Sequence, residues 1–338
     1  MWLRRLGLGL GVLALGVGAV AIYLLGTYVD PPVDAAWAVP GSDDIPPGAV
    51  TVRYTGTATL VISDGDTTLI VDGWFSRPGP LSLFMGEIEP DLDAIEKGLA
   101  RNEVTTAALV IPVHSHFDHA MDSPEVAKRT GAMLLGSEAP ANIVRGWGLP
   151  EEQIHVVKDG EIFRRGRFAL RIIESRHFEF PDPEVRRVAL DDPEITAPLV
   201  PPVGTFEYKV GKAYALHVLH PRGTLLVQGS AGYVERDFEG LDVDVVFLGV
   251  GGLGSQTQAY REAYWRETVE RTEPSRIIPI HWDSLTGPIE GPFRGSVRIQ
   301  GALADGTDKM LAFLKAKEAQ HPEIQFNTLP RYDPVVLF

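Results

Sequence analysis

The chain has 338 residues, with 44% hydrophobic and 22% charged side chains, as expected for a globular protein with a sizeable core. Its formal net charge of −14 repels phosphate backbones, so a nucleic-acid substrate is disfavoured. It has no cysteine, which excludes disulfides and thiolate metal ligands.

The N-terminal residues 1–29 predict a transmembrane anchor or signal. Residues 6–29 carry no charge, follow two arginines and are long enough to cross a hydrocarbon core of about 30 Å. The arginines are expected to stay in the cytoplasm, which predicts a single-pass membrane protein with its catalytic domain outside. The alternative is a cleaved signal peptide and a secreted or periplasmic protein. Residues 30–49, rich in proline, predict a linker, and residues 50–338 predict one folded domain.

The first part of this domain reads as a hairpin-rich sheet followed by a helix. The turn Asp64-Gly65 is a hairpin signal, and the third predicted strand ends at Asp72. The aromatic and proline-rich residues 74–84 predict either the wall of a pocket or an ordinary surface loop. The predicted strands cover residues 50–54, 58–63 and 67–71, and the predicted helix covers residues 90–101.

A cluster of metal-binding residue types comes next. It reads I-P-V-H-S-H-F-D-H and places His114, His116, Asp118 and His119 within six residues, a spacing whose chance occurrence is on the order of one in a thousand. Residues 106–113 before it predict a buried strand, so a rigid sheet would aim these ligands. Imidazole and carboxylate without thiolate suit Zn²⁺ best, with Mn²⁺ and Fe²⁺ as alternatives.

Two later histidines occupy similar positions. His177 and His281 each follow a predicted strand, at residues 168–174 and 276–280, as does the turn Gly229-Ser230-Ala231-Gly232. Alternating strands and helices indicate α/β layers. Residues 178–203 predict a long loop that is functional, disordered or a lid, and residues 205–210 predict a strand. His155, His217, His220 and His321 have no matching spacing and are interpreted as structural or surface residues.

In this order, the residues resemble the metallo-β-lactamase superfamily. The resemblance covers residues 50–281: a glycine-containing first hairpin, a strand ending in Asp72, the H-x-H-x-D-H block and two later histidines. The segments V-x-Y-T-G-T-A-T-L-V-I, D-G-W-F-S-R-P-G-P and P-I-H-W-D look most like the branch with ascorbate-lactonase-like and N-acyl-phosphatidylethanolamine phospholipase D-like proteins.

The resemblance implies an α/β fold, a four-layer αββα sandwich, with one or two metal ions. One ion would be held by His114, His116 and His177, and the second by Asp118, His119 and His281. One departure concerns the turn at Ser230, where the family commonly has a bridging aspartate. A neutral hydroxyl is a poorer ligand, so the second site is expected to be weakened, and Ser230 is not counted as a ligand. Asp72 is expected to hold the metal loop without binding metal.

The sequence therefore predicts a membrane-anchored, metal-dependent hydrolase. Its ion, expected to be zinc, would generate a bound hydroxide, with Asp118 as the catalytic residue that orients it. The substrate would be an ester, lactone, amide or phosphodiester of a small or lipid-like molecule, because the anchor would keep the site near a bilayer. A noncatalytic metal-binding domain, or a β-lactamase or nuclease of the same superfamily, remains the alternative.

Overall fold

Two seven-stranded sheets form the centre of the computed structural model, which describes residues 15–299 and 306–338. The strands are β1 (Thr51–Gly56), β2 (Thr59–Ser63), β3 (Thr68–Val71), β4 (Glu87–Ile88), β5 (Leu109–Ile111), β6 (Met133–Gly136), β7 (Ile154–Val156), β8 (Ile162–Arg165), β9 (Phe168–Ser175), β10 (Val203–Gly204), β11 (Ala213–His220), β12 (Gly223–Gln228), β13 (Val245–Gly249), β14 (Arg276–Ile280), β15 (Gln325–Phe326) and β16 (Val335–Val336). The helices are α1 (residues 15–26), α2 (Pro80–Met85), α3 (Leu92–Arg101), α4 (Phe117–Ala120), α5 (Ser123–Thr130), α6 (Glu138–Gly146), α7 (Pro183–Leu190), α8 (Gln258–Trp265) and α9 (Thr307–Gln320).

The sheets differ in strand order but share a mixed topology. The first has the order β16-β1-β2-β3-β5-β6-β7, and the second has the order β15-β14-β13-β12-β11-β9-β8. In the first sheet β3, β5, β6 and β7 pair in parallel. In the second sheet the parallel group is β12, β13, β14 and β15. Strands β4 and β10 form a short antiparallel pair, which connects the segment between α2 and α3 to the segment after α7.

The hydrophobic pattern explains why the sheets stack with helices outside them. Between the sheets, Leu60 and Ile62 of β2 belong to the same buried cluster as Leu170 and Ile172 of β9. The opposite face of the first sheet is covered by α3, α5 and α6, in a separate cluster that contains Val61. Helices α8 and α9 join the second sheet through aromatic contacts such as Trp265 with Phe313 and Phe326. The four-layer αββα arrangement expected from the resemblance is therefore present.

Helix α3 is specified locally and fixed by packing. Asp91 caps its N-terminus by accepting hydrogen bonds from the N–H groups of Asp93 and Ala94. Its inward face presents Gly98, where an added Cβ would lie 2.1 Å from Cδ1 of the fully buried Phe75. The glycine thus lets the segment after β3 pass close to the helix.

Two segments differ from the sequence-based expectation, and the predicted linker over residues 30–49, whose bounds stay a prediction, contains a buried tryptophan. The predicted loop over residues 178–203 contains α7, which Asp182 caps and Pro183 begins, a start signal that the density of prolines obscured. Residues 205–210 are predicted as a strand but contain the 3₁₀ turn Thr205–Glu207, which follows directly on the two-residue strand β10. In the predicted linker, the Trp37 ring is buried 5.3 Å from that of Phe326.

The predicted transmembrane helix is wrong. Within residues 15–299 and 306–338, none of the helices is both long enough and apolar enough to span a bilayer. Residues 6–14 of the predicted stretch lie outside the described residues. The single-pass membrane location, its signal-peptide alternative and the membrane contact derived from that stretch are not supported.

Replacing Gly98 with alanine should lower the free energy of unfolding by about 1–3 kcal/mol, because the new methyl group overpacks against the Phe75 ring. This sign is opposite to the gain of about 1 kcal/mol that helix propensity alone predicts. Thermal denaturation of Gly98→Ala and of Lys97→Ala, at an exposed position of the same helix, provides the comparison. An unchanged or raised Tm for Gly98→Ala would contradict the packing argument.

Candidate metal centre

Five strand ends place the candidate residues at one edge of the sandwich. Strands β3 and β5 are parallel neighbours, so Asp72 and the cluster that begins at His114 leave the first sheet on the same side. Strands β9 and β12 both run antiparallel to β11, and β12, β13 and β14 are parallel. His177, Ser230 and His281 therefore leave the second sheet together. The topology brings distant parts of the chain to one place.

The first group of converging side chains consists of His114, His116 and His177. His114 Nε2 lies 3.2 Å from His116 Nδ1. The His177 Nδ1–H donates to the Phe178 carbonyl at 2.7 Å, which leaves its Nε2 as the free ring nitrogen. His116 Nε2–H donates to the Ala189 carbonyl of α7 at 3.3 Å, so this helix lies directly beside the centre.

The second group consists of Asp118, His119 and His281. His281 Nε2 lies 3.1 Å from Asp118 Oδ2 and 3.2 Å from His119 Nε2. The two groups are adjacent, since the rings of His114 and His119 are 3.8 Å apart between centroids. All six residues expected from the sequence are thus brought together in two sets of three, divided as the resemblance implied.

Asp72 connects the two strand ends of the first sheet. Its Oδ1 accepts the Val113 N–H at 2.8 Å, and its Oδ2 accepts the His119 Nδ1–H at 2.7 Å. The Ser123 hydroxyl donates to the Asp72 carbonyl at 2.7 Å. Burial lowers the pKa of His119, but the Asp72 and Asp118 carboxylates outweigh burial and raise this pKa. With its Nδ1 proton directed at Asp72, the neutral form of His119 presents an unprotonated Nε2 toward Asp118 and His281. Asp72 thereby fixes both the tautomer and the direction of this ring.

The donor set fits a divalent cation. In each group the ligand atoms lie within 4.8 Å of one another. Zinc–nitrogen bonds of about 2.0–2.1 Å in a tetrahedron place neighbouring donors about 3.3 Å apart, close to the nitrogen–nitrogen distances of 3.2 Å seen here. Neutral ring nitrogens that face each other this closely repel unless a cation or a proton lies between them.

Burial sets the protonation of these groups. It lowers the pKa of His114 and His177 well below the usual range and lowers the pKa of His116 to about 4. These imidazoles are therefore neutral at pH 7, the form that binds metal. Burial raises the pKa of the Asp118 carboxyl, but His119 and His281 outweigh it and hold this pKa well below its ordinary value. Asp118 is an anion at neutral pH.

Ser230 accepts hydrogen bonds from two neighbouring segments of the chain. Its Oγ accepts the Phe178 N–H at 3.3 Å, next to His177, and its carbonyl accepts the Tyr264 hydroxyl at 3.4 Å. The hydrogen bond between Ser230 and Phe178 connects the turn after β12 to the loop that carries His177.

Two contributions to the centre were missed by the sequence interpretation. The Ala189 carbonyl lies in a segment expected to be a loop, although the pair Asp182-Pro183 was a readable helix-start signal. The second is the backbone of His281, whose φ of 63° is a left-handed value that a non-glycine residue rarely adopts and that costs about 1–3 kcal/mol. No local signal in the sequence reports this conformation.

The remaining expectations for this region concern aromatic and histidine side chains. Trp74 is completely buried, 5.7 Å from Phe117 between ring centroids, so it packs in the core and does not wall an open pocket. The other four described histidines lie outside both groups. His155 contacts Glu161, and His217 contacts the Asp242 carbonyl. His220 contacts Asp64, and His321 contacts Glu323.

Comparisons with known proteins identify the family. A family model described as the beta-lactamase superfamily domain matches residues 51–281. A UPF0173 metal-dependent hydrolase of Pyrobaculum islandicum is 25% identical over 239 residues, which are 69% of this chain and 84% of that protein. Another, from Anaeromyxobacter dehalogenans, is 28% identical over 245 residues, which are 70% of this chain and 76% of that protein.

Solved structures show the same fold. Igni18, described as a novel metallo hydrolase of Ignicoccus hospitalis, aligns with a TM-score of 0.52 at 15% identity, over 86% of this chain and 99% of that one. A structure described as a possible metal-dependent hydrolase of Veillonella parvula aligns with a TM-score of 0.51 at 12% identity, over 86% and 99%. The resemblance is confirmed at the level of the superfamily, and the finer branch stays a prediction. The chain therefore belongs to the beta-lactamase superfamily and is a metallo-hydrolase within it.

Proposed function

We propose that the protein is a zinc-dependent hydrolase that cleaves an ester, lactone, amide or phosphodiester bond in a small organic molecule. The observation that carries the proposal is the pair of adjacent groups, each with three donor atoms converging within 4.8 Å. Relatives named metal-dependent hydrolases support the reaction class. Five imidazoles and one carboxylate, without sulfur, favour zinc over manganese and iron.

The two groups would hold one ion each. His114, His116 and His177 supply the first with neutral imidazoles, and Asp118, His119 and His281 supply the second with one negative charge. When bound, divalent ions polarise the oxygen of the bond to be cleaved and lower the pKa of a water molecule toward 7. Three protein donors per ion leave an open position, which is the arrangement of catalytic zinc sites.

Asp118 is the proposed catalytic residue. It is ionised at neutral pH and only 6% exposed, at the junction of the two groups. A buried carboxylate in this position accepts a hydrogen bond from the attacking water and fixes its direction. Ser230, which adds no charge to the centre, leaves the second ion more weakly held than the first.

The proposed substrate is a small molecule. The argument for a lipid-like substrate required a membrane anchor, and that anchor is not supported. The net charge of −14 disfavours the nuclease alternative. A β-lactam ring is a strained amide and stays within the proposed bond classes.

The wild-type protein should bind about two equivalents of zinc, and His116→Ala and His281→Ala should each bind about one. Each substitution removes a donor from a different group, so the remaining ion keeps its three protein ligands. Metal content after dialysis, measured by elemental analysis, tests this expectation. His155→Ala, at a partly exposed histidine paired with Glu161, is the matched control and should retain two. Wild-type-like zinc content in both site variants would refute the two-group assignment.

Asp118→Asn should lower kcat by about 10²–10⁴-fold on any substrate that the wild type turns over, because a neutral amide orients water less well and accepts no proton. The assay is a panel of chromogenic ester, lactone, β-lactam and phosphodiester probes. Asp66→Asn, at an exposed carboxylate, should keep full activity. Stoichiometric zinc with no wild-type turnover on any probe would instead indicate a noncatalytic metal-binding domain.

Asp72→Asn should weaken the second ion by about 10–100-fold and leave the first unchanged. The amide presents an N–H to His119 Nδ1 where the carboxylate accepted one, which favours the tautomer whose Nε2 is protonated. Competition with a chromophoric chelator resolves the two dissociation constants. Because the first ion serves as an internal control, equal weakening of both ions would argue for general destabilisation instead.

A further inference from the structure

The direction of the His281 side chain depends on an unusual backbone conformation. His281 directly follows β14 and has φ of 63°, yet its Nε2 must point at Asp118 and His119. Its N–H donates to the Thr57 carbonyl, in the turn between β1 and β2, at 2.5 Å. Side-chain direction follows backbone conformation, so whatever holds Thr57 also sets the direction of this imidazole.

Thr57 is itself held by a residue two positions after His281. The Thr57 N–H donates to Asp283 Oδ1 at 2.5 Å. The Tyr54 hydroxyl lies 2.9 Å from the Thr57 carbonyl and 3.3 Å from Asp283 Oδ1. The segment from His281 to Asp283 therefore engages both backbone groups of Thr57, with the histidine on its carbonyl and the carboxylate on its N–H.

The Asp283 carboxylate packs closely against the turn between β1 and β2. Asp283 is 8% exposed, and a Cβ on Gly56 would lie 2.4 Å from its Oδ2. The same Cβ would lie 3.3 Å from Arg77 Nη2, a buried nitrogen with no hydrogen-bond partner in the described part of the chain. Gly56 thus leaves room for a carboxylate and a guanidinium to approach the turn together. Thr57 has φ of 52°, so this turn also needs an external restraint.

We propose that Asp283 is a positioning residue for the second metal group, acting through Thr57 and the backbone of His281. It does not touch an ion or a substrate. Its carboxylate fixes the turn after β1, and the turn holds His281 in the conformation that completes the group with Asp118 and His119. This inference rests on the proposed function, because it concerns the binding of the second ion.

The test compares Asp283→Ala in two backgrounds of the full-length protein, with zinc alone as the ligand. In His116→Ala the remaining ion belongs to the second group, and Asp283→Ala should weaken it about tenfold or more. In His281→Ala the remaining ion belongs to the first group, and Asp283→Ala should leave its dissociation constant unchanged. Chelator competition gives both constants.

A matched control separates positioning from stability. Asp64 is also a buried carboxylate that accepts two backbone N–H groups in a turn, those of Asp66 and Thr67, but it lies at the other end of β3 from Asp72. Asp64→Ala should lower Tm without changing either zinc constant. If Asp283→Ala does not fold, Tyr54→Phe removes the hydroxyl that contacts both Thr57 and Asp283 and should weaken only the second ion, several-fold.

Each outcome has one meaning. Selective weakening in the His116→Ala background supports the inference. Equal weakening in both backgrounds, or none in either, overturns it, as does an unchanged second ion in Tyr54→Phe where Asp283→Ala does not fold. If the wild type binds fewer than two zinc ions, the two-ion assignment of the proposed function fails first and the inference about the second ion fails with it, so the two failures are distinguishable.

Discussion

The Asp72 carboxylate makes the two hydrogen bonds on which the centre depends most. One oxygen holds the backbone at Val113, just after β5, and the other holds the His119 ring. A single buried anion thus joins neighbouring strand ends to the loop that supplies four of the six converging side chains. Since β3 and β5 are parallel, this link is made at the edge where the strands of the second sheet also end.

Burial gives the centre its affinity for a cation and makes the apo arrangement costly. The neutral imidazoles of His114, His116 and His177 lie close to the ionised, buried carboxylate of Asp118. A buried polar atom without a hydrogen-bond partner raises the free energy of the folded state, and a divalent ion would bind several such atoms at once. At His114, His116 and His177, the burial that disfavours the protonated imidazole therefore favours metal.

The two metal groups are held by different means. The first group is held by segments outside the sheets. The Ala189 carbonyl of α7 accepts a hydrogen bond from His116, and Ser230 Oγ accepts one from the Phe178 N–H beside His177. The second is fixed from the core, by Asp72 on one side and by the Thr57 turn on the other. Because Ser230 adds no bridging carboxylate, the groups are connected through the loop from His114 to His119, and a substitution of a ligand in either group tests that group.

The sequence by itself determined the ligand types and most of the strands. The H-x-H-x-D-H block after an apolar run predicted the metal loop, and His177 and His281 were placed because each follows a strand. These signals are local, which is why they could be read without a structure. Only the tertiary structure decided that α7 lies against His116, that residues 205–210 form no strand, and that residues 15–299 and 306–338 contain no helix able to span a membrane. It also decided the left-handed conformation of His281, because the groups that stabilise it come from a turn more than two hundred residues earlier, and contacts at that separation leave no pattern in the local sequence.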